Sequence, residues 1–315
     1  MRTLKRLLIL SGLLCYAWSA FAVAGEGFPE RPIELVIPFE PGSGTDVTGR
    51  LVAELAQEHL GTRIVITNKP GGSGATGYAF VKNGKADGYL IGMANSTLVS
   101  HKVFGNLPFD HNDVEVILLI HTSPSVLCVP AKSPYTSLEE VIEDARRRPG
   151  EISWAASSGN QLTGSLDFFH HAGTEFKVVP FGGGGMQPTI QTSGGHIDMC
   201  FTNIVEAKAQ IEAGLLRPLA VYGKKRMDIM PDIPTFEELG YPVRCPIIRM
   251  IMAPPGTPRE RLEVINAAFQ KAVASQKYRD FVASSSGVVL DASFGDAMAI
   301  LNEQREAFVE VEKQK

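Results

Sequence analysis

With 315 residues, 44% of them hydrophobic, the chain can build one large domain or two lobes of ordinary size. Its formal net charge of −4 lacks the basic footprint of a nucleic-acid-binding protein. The 31 glycines and 20 prolines point to many loops between short elements, and only four cysteines exclude a disulfide scaffold or a cysteine-rich metal cluster.

The first segment reads as an address. Arg2, Lys5 and Arg6 precede an apolar run, Leu7 to Phe21, and Ala22-Val23-Ala24 forms a small-residue cleavage site. This is the layout of a secretory signal peptide over 1–24, with the mature chain starting near Gly25 and residing in the periplasm. The apolar run is short for a membrane anchor. Cys15 follows Leu14 inside the apolar core, which is the wrong place for a lipoprotein cysteine. The mature chain is expected to be exported and not membrane-embedded.

The stretch Pro32 to Arg50 organises the rest of the chain. Ile33 to Ile37 is an apolar run with the length of a buried strand, ended by Pro38 and Pro41. Gly42-Ser43-Gly44 then leads to Thr45-Asp46 and a helical pattern carrying Leu51, Leu55 and Leu60. Strand, glycine loop and helix start together aim unpaired backbone N–H groups at one point, which makes an anion site. Asp46 reads first as the helix N-cap, worth roughly 1 kcal/mol. Its charge would repel an anion unless the ligand offers an amine, a hydroxyl or a water.

Further along, strand-like and helix-like segments alternate. Strands are expected at 63–67, 88–94, 114–121, 126–129, 152–156, 176–180, 197–201, 219–222 and 247–252. Helices are expected at 75–82, after Ser137, through Leu166 and Phe169, at 187–192 and at 205–213. Two longer helices, 258–275 and 294–312, close the chain. This alternation argues for α/β units with largely parallel or mixed sheets. The strand–loop–helix pattern recurs at Ser157-Ser158-Gly159-Asn160-Gln161-Leu162-Thr163, far from its first occurrence. Two lobes are therefore expected, 25–127 with 253–315 and 128–252, with Gly42–Asp46 facing Ser157–Thr163 across a cleft. Asn95, Ser96, Thr97 and Asn203 follow strands and could line it, although polar residues there also serve as plain turn formers.

Catalytic patterns are weak. Gly72-Ser-Gly-Ala-Thr-Gly77 matches a dinucleotide fingerprint literally, but no acidic residue stands near the end of the next strand. There is no Walker A loop and no G-x-S-x-G elbow. His170 and His171 are adjacent and would point apart on a helix, so no metal and no cofactor is expected. Cys128 and Cys200 sit in apolar strand-like runs as buried thiols, and with Cys245 they leave the question of a single disulfide open. The chain does not read as an enzyme.

Several segments together resemble one family, the substrate-binding receptors of tripartite tricarboxylate transporters, also called Bug receptors. They are 36–50 (Val-Ile-Pro-Phe-Glu-Pro-Gly-Ser-Gly-Thr-Asp-Val-Thr-Gly-Arg), Asn68 to Gly77, Asp87-Gly-Tyr, Leu107 to Asp110, Ser193 to Asp198, Pro231 to Thr235 and Pro254 to Pro258. The resemblance implies a two-lobe periplasmic binding protein of type II-like fold that closes on a small carboxylate and hands it to membrane transporter subunits. A sensor kinase without transport is the rival partner. Such a receptor is expected to be a monomer. The carboxylate would be held without Arg or Lys, by Phe39, Gly42, Ser43, Gly44, Thr45 and Asp46 of the first loop and by Ser157, Ser158, Gly159, Asn160 and Thr163 of the second. Where these receptors carry Tyr followed by a base, this chain has Phe181-Gly182-Gly183, and its second loop is also altered. These departures point away from citrate-like and small dicarboxylate ligands, toward a less charged or larger molecule.

Overall fold

The computed structural model describes residues 27–157, 159–181, 184–223, 225–243 and 247–313. The signal peptide expected over 1–24 lies outside these residues. Among the described residues eleven strands form two sheets, one of six strands and one of five. In the first, β1 (Ile33–Ile37) pairs in parallel with β2 (Ile64–Asn68) and β3 (Leu90–Asn95). It continues through β10 (Ile247–Ala253), β4 (Glu115–Ser123) and β11 (Val288–Ser293), giving the order β11-β4-β10-β3-β1-β2. In the second, β6 (Ser153–Ser157) lies parallel to both β7 (Lys177–Phe181) and β8 (Met199–Asn203). β5 (Ser125–Pro130) and β9 (Leu216–Tyr222) complete the order β7-β6-β8-β5-β9.

Both sheets are buried on both faces, which is why their strands read as apolar runs and not as alternating ones. On one face of the first sheet, Ile33, Leu35 and Ile37 pack with Val52 and Ala56 of helix α1 (Gly44–Leu60). Against the other face Val36 meets Tyr78 of α2 (Ala75–Lys82) and Leu98 of α3 (Thr97–Val103). The second sheet buries Trp154 against Phe168 and Phe176 on one side, with α4 (Leu138–Arg147) and α5 (Asn160–Ala172) over it. Its other face carries Cys128, Ala155 and Cys200 under α7 (Ile204–Glu212), with α6 (Met186–Ser193) preceding β8. Helices α8 (Arg259–Ala274), α9 (Gln276–Ala283) and α10 (Phe294–Glu312) return to the first sheet.

The chain leaves the six-stranded sheet at Pro124, between β4 and β5, and comes back through 223–246 to β10. The division read from the sequence at 127/128 and 252/253 thus falls inside β5 and β10. Strand β10 is antiparallel to both of its neighbours, so each sheet is mixed. Three elements escaped the sequence reading: α3, α9 and β11. Strand β11 is a partly exposed edge with no sustained apolar pattern, and α3 begins at the polar residues read as a turn.

Other details bear on the local expectations. The Gly72–Gly77 motif forms a short 3-10 turn and the start of α2. Gly77 lies so close to Pro38 that a Cβ would come within 2.5 Å of it, so this glycine serves packing. His171 binds back to the Asp167 carbonyl through Nδ1 at 2.7 Å, and no group of three potential metal ligands occurs among the described residues. Cys128 and Cys200 sit opposite one another on β5 and β8 as free, buried thiols, while Cys245 lies outside the described residues.

Candidate ligand-binding cleft

The two sheets meet where helix α1 begins. Ser43 is its N-cap, with Oγ accepting from the Asp46 N–H at 3.3 Å. This corrects the expectation that Asp46 is the cap. Asp46 stands in the first turn and reaches back: Oδ2 accepts from the Gly42 N–H and from Arg50 Nε, both at 2.9 Å. Its Oδ1 accepts from Asn68 Nδ2 at 2.8 Å. Burial pushes the Asp46 pKa up, but these hydrogen bonds and the Arg50 charge outweigh it and hold the carboxyl below its usual value. Asp46 therefore pins the glycine loop and does not line the cavity.

The cavity itself is lined from the first sheet by Phe39, Ser43, Thr45, Asn95, Thr97, Ile247 and Arg249. Gln161, Gly184, Gly185, Asn203 and Glu206 line it from the second. At ≈ 20 Å³ it has room for about one water molecule. Asn95 is fixed by its Nδ2 bond to Thr45 Oγ1 at 3.3 Å and by accepting the Thr97 N–H at 2.8 Å. Asn203 caps α7, its Oδ1 accepting from the Val205 N–H at 3.0 Å.

The remaining expected residues sit around this centre. Ser96 Oγ accepts the Ile248 N–H at 2.8 Å and ties β3 to the returning strand. Gly159 packs directly against Thr97, so the start of α5 abuts the start of α3. Thr163 spends its hydroxyl on the Gly159 carbonyl at 2.9 Å, and Asn160 is buried in the same first turn. Ser157 ends β6 and Phe181 ends β7. Ser158, Gly182 and Gly183 lie outside the described residues.

Two charged residues at the centre were not singled out from the sequence. Glu206, in the first turn of α7, places Oε1 3.2 Å from the Gly44 N–H and 3.2 Å from the Gly185 N–H. These amides belong to the starts of α1 and α6, one helix from each sheet. Thr202 Oγ1 lies 3.2 Å from Glu206 Oε2. Thr189 donates to the Gly185 carbonyl at 2.6 Å, and Thr202 Oγ1 also lies 3.3 Å from that carbonyl, so its one proton is shared between the carbonyl and Glu206. A Cβ on Gly185 would stand 2.1 Å from Glu206 Oε2, and one on Gly44 2.5 Å from Arg249 Nη2. Both positions are glycine because charged groups approach the backbone there.

Arg249 is only 2% exposed, in the middle of β10. Its Nη1 donates to Ser123 Oγ and, at 3.1 Å, to His121 Nε2. Arginine only donates, so His121 Nε2 accepts, and its Nδ1 carries the proton toward Tyr278 Oη at 2.7 Å. Burial and the Arg249 charge hold the His121 pKa well below the usual histidine value, in keeping with a neutral ring. Burial also lowers the Arg249 pKa, with the Glu206 field opposing it. Arg249 Nε is buried and has no hydrogen-bond partner among the described residues. A cleft free of Arg and Lys is thus not what the chain builds.

The sequence did carry a signal for each. Arg249 is a lone charge inside the apolar run Ile247 to Met252, and a charge in a doubly buried strand needs partners or a task. Glu206 stands three residues after Asn203, a spacing that also suits an ordinary helix-capping pair. Only the packing shows that its carboxylate turns to the cleft.

Comparison with known proteins agrees with this architecture. The family model described as tripartite tricarboxylate transporter family receptor matches residues 48–311. BugT of Bordetella pertussis is 29% identical over 282 residues, spanning 87% of this chain and 86% of BugT. The solved structure of the periplasmic binding protein BugD superposes with a TM-score of 0.84 at 25% identity, over 91% of this chain and 98% of BugD. The R. palustris protein Rpa4515, solved with adipate, gives a TM-score of 0.83 at 26% identity, over 91% of this chain and 98% of its own. No helix among the described residues is long and apolar enough to cross a membrane. With two mixed α/β lobes and a polar cleft between them, the chain belongs to the tripartite tricarboxylate transporter receptor family, whose members are solute-binding proteins and not enzymes.

Proposed function

We propose that this chain is an exported, periplasmic receptor that captures a small carboxylate between its lobes and delivers it to the membrane subunits of a tripartite tricarboxylate-type transporter. The observation that carries this reading is the convergence of two helix starts. The Gly44 and Gly185 N–H groups, one from each lobe, lie 3.2 Å from a single oxygen of Glu206, beside the buried Arg249 guanidinium that lines the same cavity. Two helix N-termini sharing one oxygen form an anion position that only closure of the lobes completes. The adipate held by Rpa4515, a relative at 26% identity, supports a carboxylate as the ligand. The lobes are the two sheets with their helices, joined on one side at Pro124, and their closure presents the docking surface to the transporter. The N-terminal 24 residues act as the cleaved export signal.

A thermal-shift screen of mono-, di- and tricarboxylates and aromatic acids tests this. At a hundred- to thousandfold over its dissociation constant, the ligand should add about 3–4 kcal/mol of stability. No shift from any carboxylate would overturn the reading. Deletion of the gene should abolish uptake of the identified ligand; unchanged uptake with lost gene induction would assign the protein to a sensor kinase instead.

A further inference from the structure

The anion position between the helix starts is held by the protein's own carboxylate. Glu206 is 7% exposed, and it takes one N–H from each lobe, with the Thr202 hydroxyl 3.2 Å from its other oxygen. A carboxylate has about four lone-pair sites, so the two amides already commit two of them. Beside it, the Arg249 guanidinium lines the same cavity, 98% removed from solvent by its 2% exposure, with Nε unpartnered among the described residues. Arginine brings five donors, and the bonds to His121 and Ser123 engage only Nη1.

Charge decides what such a site accepts. Arg249 and Glu206 cancel, and Asp46 is matched by Arg50 at 2.9 Å. The two helix starts add about half a positive charge each, which leaves roughly one charge to be met by a ligand. The other lining groups are neutral or apolar: Thr45, Asn95, Thr97 and Gln161, with Phe39 and Ile247. Among the described lining residues a second ligand carboxylate would find no further cation, and it would face Glu206 in a site of low dielectric.

We propose that Glu206 is a resident carboxylate that occupies the anion position between the helix starts, so that the site takes a monocarboxylate held on the Arg249 guanidinium and rejects dicarboxylates. This deepens the carboxylate-receptor reading and rests on it. Glu206 is then a specificity-determining residue, and the rest of the ligand is uncharged, lying against Phe39, Ile247 and the amide and hydroxyl groups.

Calorimetric titration with chain-matched pairs, butyrate with succinate and hexanoate with adipate, tests the proposal on the wild type, Glu206→Ser and the isosteric Glu206→Gln. In at least one pair the wild type should bind the monocarboxylate ten or more times more tightly. Glu206→Ser should gain tenfold or more for the dicarboxylate and reverse the preference. Glu206→Gln should narrow the ratio, and it keeps the test open if the serine variant fails to fold. A wild-type preference for the dicarboxylate, or a ratio that neither variant changes, overturns the proposal and leaves the carboxylate reading standing. Tighter binding of 4-aminobutyrate than butyrate also overturns it, by making Glu206 an acceptor of ligand cations. Binding of no acid at all overturns the carboxylate reading, and this inference with it.

Discussion

Replacing Asp46 by Asn separates a residue that holds the site from one that touches the ligand. The aspartate accepts three hydrogen bonds, two at Oδ2 and one at Oδ1, and its side chain is 3% exposed. An asparagine oxygen in the Oδ2 position keeps the Gly42 N–H and Arg50 Nε, but both bonds lose the charge of the acceptor. Its amide then faces the Asn68 amide, which cannot turn over without losing two bonds. Asn68 Nδ2 donates to the Phe39 carbonyl at 3.0 Å, and Oδ1 accepts from Arg50 Nη2 at 2.9 Å. One stranded donor costs about 1–3 kcal/mol, and loss of charge from two bonds costs about 0.5–1 kcal/mol each. Arg50 is 49% exposed, so solvent screening trims its share and the total settles near 3 kcal/mol. For a chain of this size that is a fall in Tm of about 6 °C at neutral pH.

The pH dependence gives the stronger test. Asp46 has its carboxyl pKa held below the usual 3.8 in the folded state. Its contribution is therefore complete above the unfolded value and is lost as pH falls through the folded one. Urea unfolding of wild type and Asp46→Asn at pH 7, 5 and 3 should show a constant gap at the two higher values and a smaller gap at the lowest. Ligand affinity in the variant should change far less than stability does. A gap that persists undiminished at low pH, or a variant as stable as wild type but unable to bind, would refute the assignment of Asp46 as a loop pin.

Burial lowers the pKa of His101, His111 and His121, so all three are neutral in the folded chain and gain protons on unfolding. Stability should be full well above pH 6.5 and should fall as the pH drops through it, until the folded-state values are reached. A flat profile between pH 6.5 and 5 in denaturant titrations would contradict this. The thiols make a separate prediction: burial raises the Cys128 pKa well above its usual value and that of Cys200 to about 12. Both should resist alkylation at pH 8 in the native protein and react once it is unfolded, as peptide mapping by mass spectrometry would show. Trp154→Ala should cost about 3–5 kcal/mol, because the ring stacks on Phe168 and meets Phe169 and Phe176 edge-on while its Nε1 donates to Ser165 at 2.7 Å. A loss under about 1 kcal/mol would mean that this cluster is not the core of the second lobe.

Much of the fold was legible in the chain. Strands buried on both faces announce themselves as continuous apolar runs, as Ile33–Ile37 and Ile247–Ala253 do, because every side chain along them must leave water. Helix starts announce themselves by caps, and Ser137 accepts a backbone N–H where a cap was read, while Ser43 and Asn203 cap helices where Asp46 and a cleft residue were expected. What escaped was short or at an edge: β11 and α9 owe their form to neighbours already in place, since a short segment cannot stabilise itself.

The site divides along the same line. Locally encoded chemistry, the glycine loop and helix start at 42–46, could be read from spacing alone, because its hydrogen bonds close within a few residues. Whether Asp46 caps, pins or binds could not, since its decisive partner is Asn68, on another strand. Glu206 and Arg249 mark the limit most clearly. In the sequence one is a capping-pair glutamate and the other a lone charge in a strand. Their roles arise because closure sets Gly44 of one lobe and Gly185 of the other on a single oxygen of Glu206, 162 residues from Gly44 along the chain. The sequence by itself marked a helix start with the geometry of an anion site; only the tertiary structure decided that Glu206, a carboxylate of the chain itself, lies on it.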